Sequence, residues 1–255
     1  MTRWIIISFQ DSCSFTIIEL SLFHDYILSI LIGIVVIITY ILFYIIFNKN
    51  FYKNLSERTK IEIIWSVVPV FILIILVIPS IKVLYLIEDI KTPSLNFKIV
   101  AHQWYWSYIV PFFKRYFYKT NRKEYFFHEF DSIMENEKIP RLLNCDKRLI
   151  IPYKTNSRLL LFSTDVIHSF RIPSIGLKVD ALPGRINQLF VNPSRIGIFF
   201  GQCSEICGAN HSFIPISIKV VDIKTYDNIT KNFLLENISE NFTNIKKIIL
   251  LSYSL

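Results

Sequence analysis

An uncharged apolar run of 22 residues, from Tyr26 to Phe47, constrains this chain more than any other feature. As a helix it would span about 33 Å, enough to cross the ~30 Å hydrocarbon core of a bilayer. A second run, residues 63–87, has Lys82 as its one charge, near an end where a long side chain can reach the interface. The two runs predict a transmembrane helical hairpin, with helices at about 26–47 and 63–87. The alternative is a pair of buried helices in a water-soluble core.

The charges around this hairpin predict its orientation. Acidic residues flank the outer ends of both runs, whereas the connecting segment is basic, with Lys49, Lys53, Arg58 and Lys60. The positive-inside rule places this basic connection on the inner side of the membrane. The N-terminus and the whole of residues 91–255 would then face the outer side.

The net charge of +8 is confined to this outer part. Residues 1–90 hold six Lys or Arg against seven Asp or Glu, so residues 91–255 carry all of the basic excess. Such an excess can indicate nucleic-acid binding. A chain that is 52% hydrophobic and has two apolar spans does not fit that class, so we expect no nucleic-acid partner. The small number of glycines, six, also argues against Gly-rich phosphate-binding loops.

Beyond residue 91, helical periodicity gives way to short apolar runs bounded by proline, glycine and asparagine. The runs are residues 97–101, 148–152, 158–163, 186–191, 196–200 and 214–221. Many short strands at such spacing are typical of an all-β sandwich or barrel. We therefore divide the chain into an N-terminal segment with the hairpin (1–90), an all-β domain (91–225) and a tail (226–255). The tail is expected to be irregular or helical and to lead to a short apolar run at 248–251.

The sequence CSEICGANHSFIPI places Cys203, Cys207 and His211 in one loop between two predicted strands. His168 lies 35 residues before Cys203, on another stretch of chain. Two thiolates and two imidazoles favour copper or zinc. Zinc knuckles usually hold their cysteines as C-x2-C, whereas the C-x3-C spacing suits a copper-binding β-barrel in which two thiolates bridge two coppers. A structural pair of cysteines is the alternative.

Further motifs accompany this loop: FHDY at 23–26, AHQWYWSY at 101–108, FDSIM at 130–134, RLL at 141–143 and HSFRIPSIGLKVDALPGRINQ at 168–188. With them the chain resembles subunit 2 of the haem–copper cytochrome c oxidases, in its mitochondrial form, from about residue 10 to about residue 221. The resemblance implies a two-helix transmembrane hairpin followed by an all-β cupredoxin-like barrel. That barrel would hold a dinuclear copper centre, CuA.

The same resemblance implies an electron-accepting subunit of a respiratory terminal oxidase. Electrons from cytochrome c would reach the CuA centre and pass to haem in subunit 1, where O2 reduction is coupled to proton pumping. The implied location is the mitochondrial inner membrane, with the N-terminus and the CuA domain in the intermembrane space. The implied partners are subunits 1 and 3, other complex IV subunits, cytochrome c and membrane lipid.

Carried over residue by residue, the resemblance implies a ligand set for the two copper ions. Cys203 and Cys207 would bridge the coppers, and His168 and His211 would each bind one. The backbone carbonyl of Glu205 would be a weak copper ligand. The Glu205 side chain would reach a magnesium ion shared with subunit 1.

Two residues outside the loop are also implied to be functional. Trp104 would be the point at which electrons enter, because an exposed indole offers apolar contact and a π-system facing the copper. We expect some of Trp104, Tyr105 and Trp106 to pack and one to be exposed. Glu62, at the inner end of the second helix, would mark the mouth of a proton pathway, with an ordinary helix-end charge as the alternative.

The chain departs from the family pattern three residues after His211. The family has a weakly coordinating Met there, whereas this chain has Ile214. A true Ile would leave a site that binds copper less tightly and has an altered, raised potential. The second explanation is that position 214 is Met in the mature protein, through reading of AUA as Met or through RNA editing. Because the chain has two Met and abundant Ile, we hypothesise that position 214 is Met.

A second departure is a basic insertion at residues 111–129. The family usually has acidic residues there, to meet the lysines of cytochrome c, but this chain has Lys114, Arg115, Lys119, Arg122 and Lys123. Either the insertion points away from the docking face, or the carrier protein differs, or the segment is a solvated loop. The acidic residues expected near the dock are Asp131, Asp165, Asp180 and Glu205.

Rival classes fit parts of this pattern. A non-redox subunit, as in quinol oxidases whose related barrel has lost copper, is disfavoured by the four ligands. A zinc-stapled membrane receptor or scaffold is a second rival. A soluble CuA domain similar to that of nitrous-oxide reductase is disfavoured by the hairpin.

Overall fold

The computed structural model describes residues 9–50, 57–88, 92–114, 124–135 and 140–233, which fall into two units. One unit is helical and covers residues 16–89. The other is a β domain, and it includes residues 9–15 as well as the chain that follows the helices. Lys53, the basic residues of 115–123 and the apolar run at 248–251 lie outside the described residues.

Two long helices make up the helical unit, α1 (Phe15–Phe47) and α2 (Thr59–Glu88). Each is long and apolar enough to cross a membrane, and their apolar side chains are exposed. Both begin earlier than predicted, at Phe15 rather than 26 and at Thr59 rather than 63. The difference arises because an uncharged run marks the stretch suited to a bilayer core, whereas a helix continues into polar residues outside it.

Lys82 is partnered within this unit. Its ammonium lies 3.4 Å from the carboxylate of Glu19, so the charge near the end of α2 meets an acidic residue of α1. The Lys82 side chain is 68% exposed, which makes the pair a weak source of stability in water. The contact explains how α2 accommodates the charge of Lys82 within its apolar run.

Ten strands in the described part of the chain form two five-stranded sheets, with orders β3-β2-β1-β5-β8 and β4-β10-β9-β6-β7. The β1–β5 and β4–β10 pairs are parallel and the other pairs are antiparallel. The predicted fold class, two apolar helices followed by an all-β domain, is confirmed. The strands are β1 (Leu95–His102), β2 (Tyr105–Lys114), β3 (Glu124–Ser132), β4 (Leu149–Pro152), β5 (Ser157–Ser163), β6 (His168–Ile172), β7 (Leu177–Ala181), β8 (Asn187–Val191), β9 (Gly197–Cys203) and β10 (Pro215–Val221).

The core of the β domain follows from the two-residue period of its strands. In β5 every second residue is buried, with Leu159 and Leu161 fully so. The largest fully buried side chains are aromatic: Trp106, Tyr108, Phe97 and Phe170. Burying a large apolar side chain contributes about 1.5–3 kcal/mol, so this cluster is a main source of the stability that holds the site in place.

The segment before α1 is bound into the β domain. The Cys13 amide donates to the Ser174 carbonyl (2.7 Å), and the Ser194 amide donates to the Cys13 carbonyl (2.7 Å). The Ser14 hydroxyl donates to the Ile175 carbonyl (2.6 Å), and the Cys13 side chain is fully buried. The N-terminal segment therefore joins the β domain, although the sequence division placed it with the hairpin.

The basic insertion begins as a continuation of two strands. Strands β2 and β3 stay paired from Trp106 opposite Ser132 out to Lys114 opposite Glu124. In this register Lys114 lies nine residues beyond Tyr105, or roughly 30 Å along the strand. The described part of the insertion thus leads away from the end of the sheet that carries the AHQWYWSY motif.

A third helix, α3 (residues 223–233), follows β10 and spans the predicted boundary between domain and tail. Asp222 caps it, because its carboxylate accepts hydrogen bonds from the Thr225 amide and hydroxyl, both at 2.8 Å. These bonds lower the pKa of Asp222. Tyr226 is buried, so α3 packs as part of the β domain.

Gly201 in β9 is required by the close approach of β6. An added Cβ there would overlap the Arg171 carbonyl and come within 2.9 Å of Ile172. We predict that Gly201→Ala lowers the free energy of unfolding of the β domain by about 1–3 kcal/mol or more, since 1–3 kcal/mol is the usual cost of overpacking. Gly33→Ala is the control, since nothing lies within 4 Å of its Cβ position. Urea titration of the full chain in detergent, followed by tryptophan fluorescence, checks this; equal midpoints for the two variants would contradict it.

Candidate metal centre

Neighbouring strands bring the distant histidine to the cysteine loop. His168 is the first residue of β6 and Cys203 is the last of β9, and these strands pair with Phe170 opposite Cys203. The Ser204 amide continues the contact by donating to the Ser169 carbonyl (3.0 Å). Residues that are 35 apart in sequence therefore become adjacent in one sheet.

The predicted ligand atoms meet in a chain of short contacts. His168 Nδ1 lies 3.9 Å from Cys203 Sγ, the two sulfurs lie 4.0 Å apart, and His211 Nδ1 lies 3.4 Å from Cys207 Sγ. The ligand atoms of His168, Cys203 and Cys207 are all within 4.8 Å of one another and all three residues are buried. His211, which begins a 3₁₀ turn before β10, is half-buried beside them.

The ring of His168 is held by a carboxylate that the sequence analysis placed only near the docking face. His168 Nε2 lies 2.9 Å from Asp165 Oδ1, and Asp165 also accepts bonds from the Gln103 amide (2.6 Å) and the Val166 amide (2.6 Å). A proton on Nε2 leaves the lone pair of Nδ1 directed toward the sulfurs. This carboxylate–histidine pairing is the usual arrangement behind a metal-binding histidine.

The two thiols have opposite acidities. Burial acts to raise the pKa of Cys203, but the hydrogen bonds with His168, with the backbone at Glu205 and Ser169, and with Cys207 together outweigh it and lower this pKa to about 7. Burial raises the pKa of Cys207, and the negative charge on Cys203 raises it further. The centre therefore accepts one thiolate readily and resists a second. A metal cation bound between the sulfurs would remove this resistance, because a coordinating thiol loses its proton.

These residues fit a soft metal ion. Two buried thiols, an oriented imidazole and a second imidazole at the edge form a sulfur and nitrogen donor set that suits copper or zinc. The Glu205 carbonyl lies 3.4 Å from Cys203 Sγ, so it faces the centre, whereas the Glu205 side chain is exposed. Ile214 is buried, and its carbonyl accepts a hydrogen bond from the Cys203 amide (3.2 Å).

The aromatic motif lies against the same centre. Trp106 is fully buried, with its ring edge-on to His168 at 6.0 Å between centroids. Trp104 and Tyr105 are both half-buried. We expected one of the three aromatic residues to be exposed, and the structure shows that none is. Trp104 is half-buried because the loop backbone at Gly208 covers its ring. A Cβ added to Gly208 would lie 3.3 Å from the indole.

Sequence reasoning missed two residues of this site. Asp165 precedes His168 by three residues, and that spacing to a candidate ligand was a signal for its role. Gln103 carried no comparable signal, since its importance comes from contacts with residues 62 and 104 positions away. Glu62 lies in the first turn of α2, in the helical unit, where its carbonyl accepts a bond from the Ser66 hydroxyl (2.8 Å).

Comparison with protein families gives two matches along this chain. Residues 95–221 match the family model described as cytochrome c oxidase subunit II, periplasmic domain. Residues 2–83 match the family model described as cytochrome c oxidase subunit II, transmembrane domain. A solved structure, the periplasmic domain of subunit II of cytochrome oxidase from Bradyrhizobium japonicum, is 38% identical with a TM-score of 0.48. It covers 56% of this chain and 94% of that domain.

Full-length relatives agree with the family matches. Cytochrome c oxidase subunit 2 of Apis koschevnikovi is 46% identical over 231 residues, which are 89% of this chain and 97% of that protein. The same subunit of Sympetrum striolatum is 43% identical over 237 residues, 91% of this chain and 98% of that protein. The chain therefore belongs to the cytochrome c oxidase subunit II family, as a membrane component of an oxidoreductase complex.

Proposed function

We propose that this chain is the electron-accepting subunit of a respiratory terminal oxidase and that its β domain holds a dinuclear copper centre. The observation that carries the proposal is the pair of buried sulfurs of Cys203 and Cys207, 4.0 Å apart, each with an imidazole nitrogen within 4 Å. A bound copper pair would supply reversible one-electron redox chemistry. Two cysteines and two histidines could also hold a single zinc ion, and membership of the cytochrome c oxidase subunit II family favours the copper pair.

The protein residues would prepare this centre in distinct ways. Cys203 and Cys207 would bridge the coppers, and His168 and His211 would each bind one. Asp165 fixes the His168 ring by its 2.9 Å bond to Nε2, and the Glu205 carbonyl adds a weak oxygen donor. The burial of both thiols would exclude water from a copper pair held there, which would limit rearrangement of the surroundings on electron transfer.

Trp104 is the proposed point at which electrons enter from cytochrome c. Its half-buried indole lies over the loop backbone at Gly208, next to Cys207. The exposed part of the ring can therefore meet a partner while another part contacts the segment that carries a ligand. The electrons would pass on to haem in subunit 1, where O2 is reduced and protons are pumped.

The exposed part of the cysteine loop suits a contact with subunit 1. Ile206, between Glu205 and Cys207, is 81% exposed and is therefore available to meet another subunit. The adjacent Glu205 carboxylate would hold a magnesium ion shared with subunit 1. Glu62 would mark the mouth of a proton pathway.

The two spans would sit in the mitochondrial inner membrane, surrounded by lipid, with the N-terminus and the β domain in the intermembrane space. Subunit 3, other complex IV subunits and cytochrome c would be further partners. The family membership and the two apolar helices support this placement.

The copper proposal is tested on the purified oxidase complex. The wild-type complex should show the near-infrared absorption and the electron paramagnetic resonance signal of a mixed-valence copper pair. Cys207→Ser should abolish both and weaken copper binding by more than about 100-fold, beyond the loss typical of an outer-shell change. Cys145→Ser is the matched control, because Cys145 is also a buried free cysteine but lies outside the centre. A colourless centre loaded with zinc, or a centre without metal, would refute the proposal.

The identity of residue 214 is a second test. We predict that mass spectrometry of the tryptic peptide containing position 214, taken from the native complex, shows the mass of Met. That residue would add a weak thioether donor to the copper that His168 would hold. An Ile mass would end the hypothesis, and the reduction potential of the centre should then be raised, because a weaker axial donor stabilises the oxidised metal less.

The dependence of turnover on salt tests where the basic insertion points. Lys114 lies roughly 30 Å along β2 from Tyr105. This distance exceeds the ~10 Å screening length at 0.1 M salt and is similar to the ~30 Å screening length at 0.01 M. Asp131 pairs with Ser107 and Asp165 is bonded to the Gln103 amide, so both lie much nearer the Trp104 end. We therefore predict that turnover with a basic cytochrome falls as salt is added. Asp131→Asn should flatten this dependence and Lys114→Gln should leave it unchanged. Turnover that rises steadily from low ionic strength would show that the insertion repels the carrier.

A further inference from the structure

We infer that Gln103 is a positioning residue that joins the two chain segments carrying the proposed copper ligands. One segment is the turn from Asp165 to His168, and the other is the loop at Cys207. The inference rests on the proposed copper function and adds a residue to it. It arises from two hydrogen bonds of one residue, which run to segments that are distant in sequence.

The first bond comes from the backbone. The Gln103 amide donates to Asp165 Oδ2 at 2.6 Å, while the other oxygen of the same carboxylate lies 2.9 Å from His168 Nε2. Asp165 therefore connects the start of the Trp104 turn with the ring of a proposed ligand. Movement of Gln103 would pull on the carboxylate that sets the orientation of His168.

The second bond comes from the side chain. Gln103 Nε2 donates to the Cys207 carbonyl at 2.9 Å, across a separation of 104 residues. A carbonyl can only accept, so the amide group must present its nitrogen here. The bond thus fixes the amide orientation of Gln103 and the position of the backbone at Cys207.

Gly208 brings the loop close enough for this bond to form. Its φ is +125°, and an added Cβ would lie 3.3 Å from Gln103 Nε2 and from two atoms of the Trp104 indole. The loop backbone therefore packs directly on both side chains. Gln103 and Trp104 together form the surface on which the Cys207 segment packs.

A neutral amide suits this position for an electrostatic reason. The sulfurs of Cys203 and Cys207 carry negative charge when a metal is bound, and the adjacent Asp165 is a carboxylate. A glutamine donates a hydrogen bond without adding a further charge. Glutamate at this position would turn an acceptor toward the Cys207 carbonyl and add negative charge beside the centre. It would therefore weaken the contact between residue 103 and the Cys207 segment.

Gln103→Met in the assembled oxidase tests the inference, because methionine keeps the length of the side chain and removes the side-chain bond to the Cys207 carbonyl. The backbone bond to Asp165 remains in this variant, so the test isolates the contact with the Cys207 segment. Gln103 is exposed, so the variant should fold. We expect full copper content, altered copper hyperfine splitting and near-infrared absorption, and copper loss to a chelator about 10-fold faster than in wild type. In the copper-depleted complex, alkylation of Cys207, quantified by mass spectrometry of its peptide, should also be faster. Gln188→Met, at an exposed glutamine of β8, is the matched control and should change none of these.

Two further variants sharpen the result. Gln103→Glu should have larger effects than Gln103→Met. Gly208→Ala should reproduce the effects of Gln103→Met, because the added Cβ would push the loop away from Gln103 and Trp104. A Gln103→Met complex that matches Gln188→Met in spectrum, copper loss and Cys207 alkylation would overturn the inference and leave the copper function intact. A wild-type complex without a mixed-valence copper signal would overturn both. Because these measurements involve no cytochrome, a mere loss of docking would not mimic the expected result.

Discussion

The candidate metal centre depends on the close approach of strands β6 and β9. Gly201 makes that approach possible, because the Arg171 carbonyl fills the space that any side chain at 201 would need. Pairing of these strands sets His168 beside Cys203, with 3.9 Å between Nδ1 and Sγ. Since side chains alternate along a strand, a slip of one residue would turn His168 to the opposite face of the sheet. The register of two strands therefore decides whether the ligand set exists.

Electrostatics explains why the centre suits a cation. The low pKa of Cys203 and the raised pKa of Cys207 belong to two buried thiols that cannot both ionise cheaply at 4.0 Å. Asp165 adds a further carboxylate behind His168. The protein therefore gathers negative charge and lone pairs where little water can enter. The cysteines and histidines arranged in this way favour the binding of a cation, and the sulfur donors select a soft metal.

Much of the fold could be predicted, because hydrophobic runs report directly on burial. The two spans and six of the ten described strands were predicted from such runs, and the other four were not. Strands β2 and β3 lead into the basic insertion, β6 buries His168 and Ser169 at the site, and β7 alternates with charged residues such as Lys178. The cysteine loop was recognisable from its spacing. Gln103 was assigned no role at the centre, since its contacts lie 62 and 104 residues away and no local pattern encodes them. Asp165 was expected only near the docking face, although its three-residue spacing to His168 was a local signal.

The attachment of the N-terminal segment has a consequence for the order of folding. The Ser14 bond to Ile175 and the Cys13 contact with Arg195 join residues 161 and 182 positions apart. At synthesis rates of about 5–20 residues per second, the segment waits roughly 10–40 s for the second partner to be made. Contacts of such sequence separation form slowly, because they close very large loops. The β domain therefore reaches its final form late, when Ser14 and Cys13 meet partners made 161 and 182 residues after them.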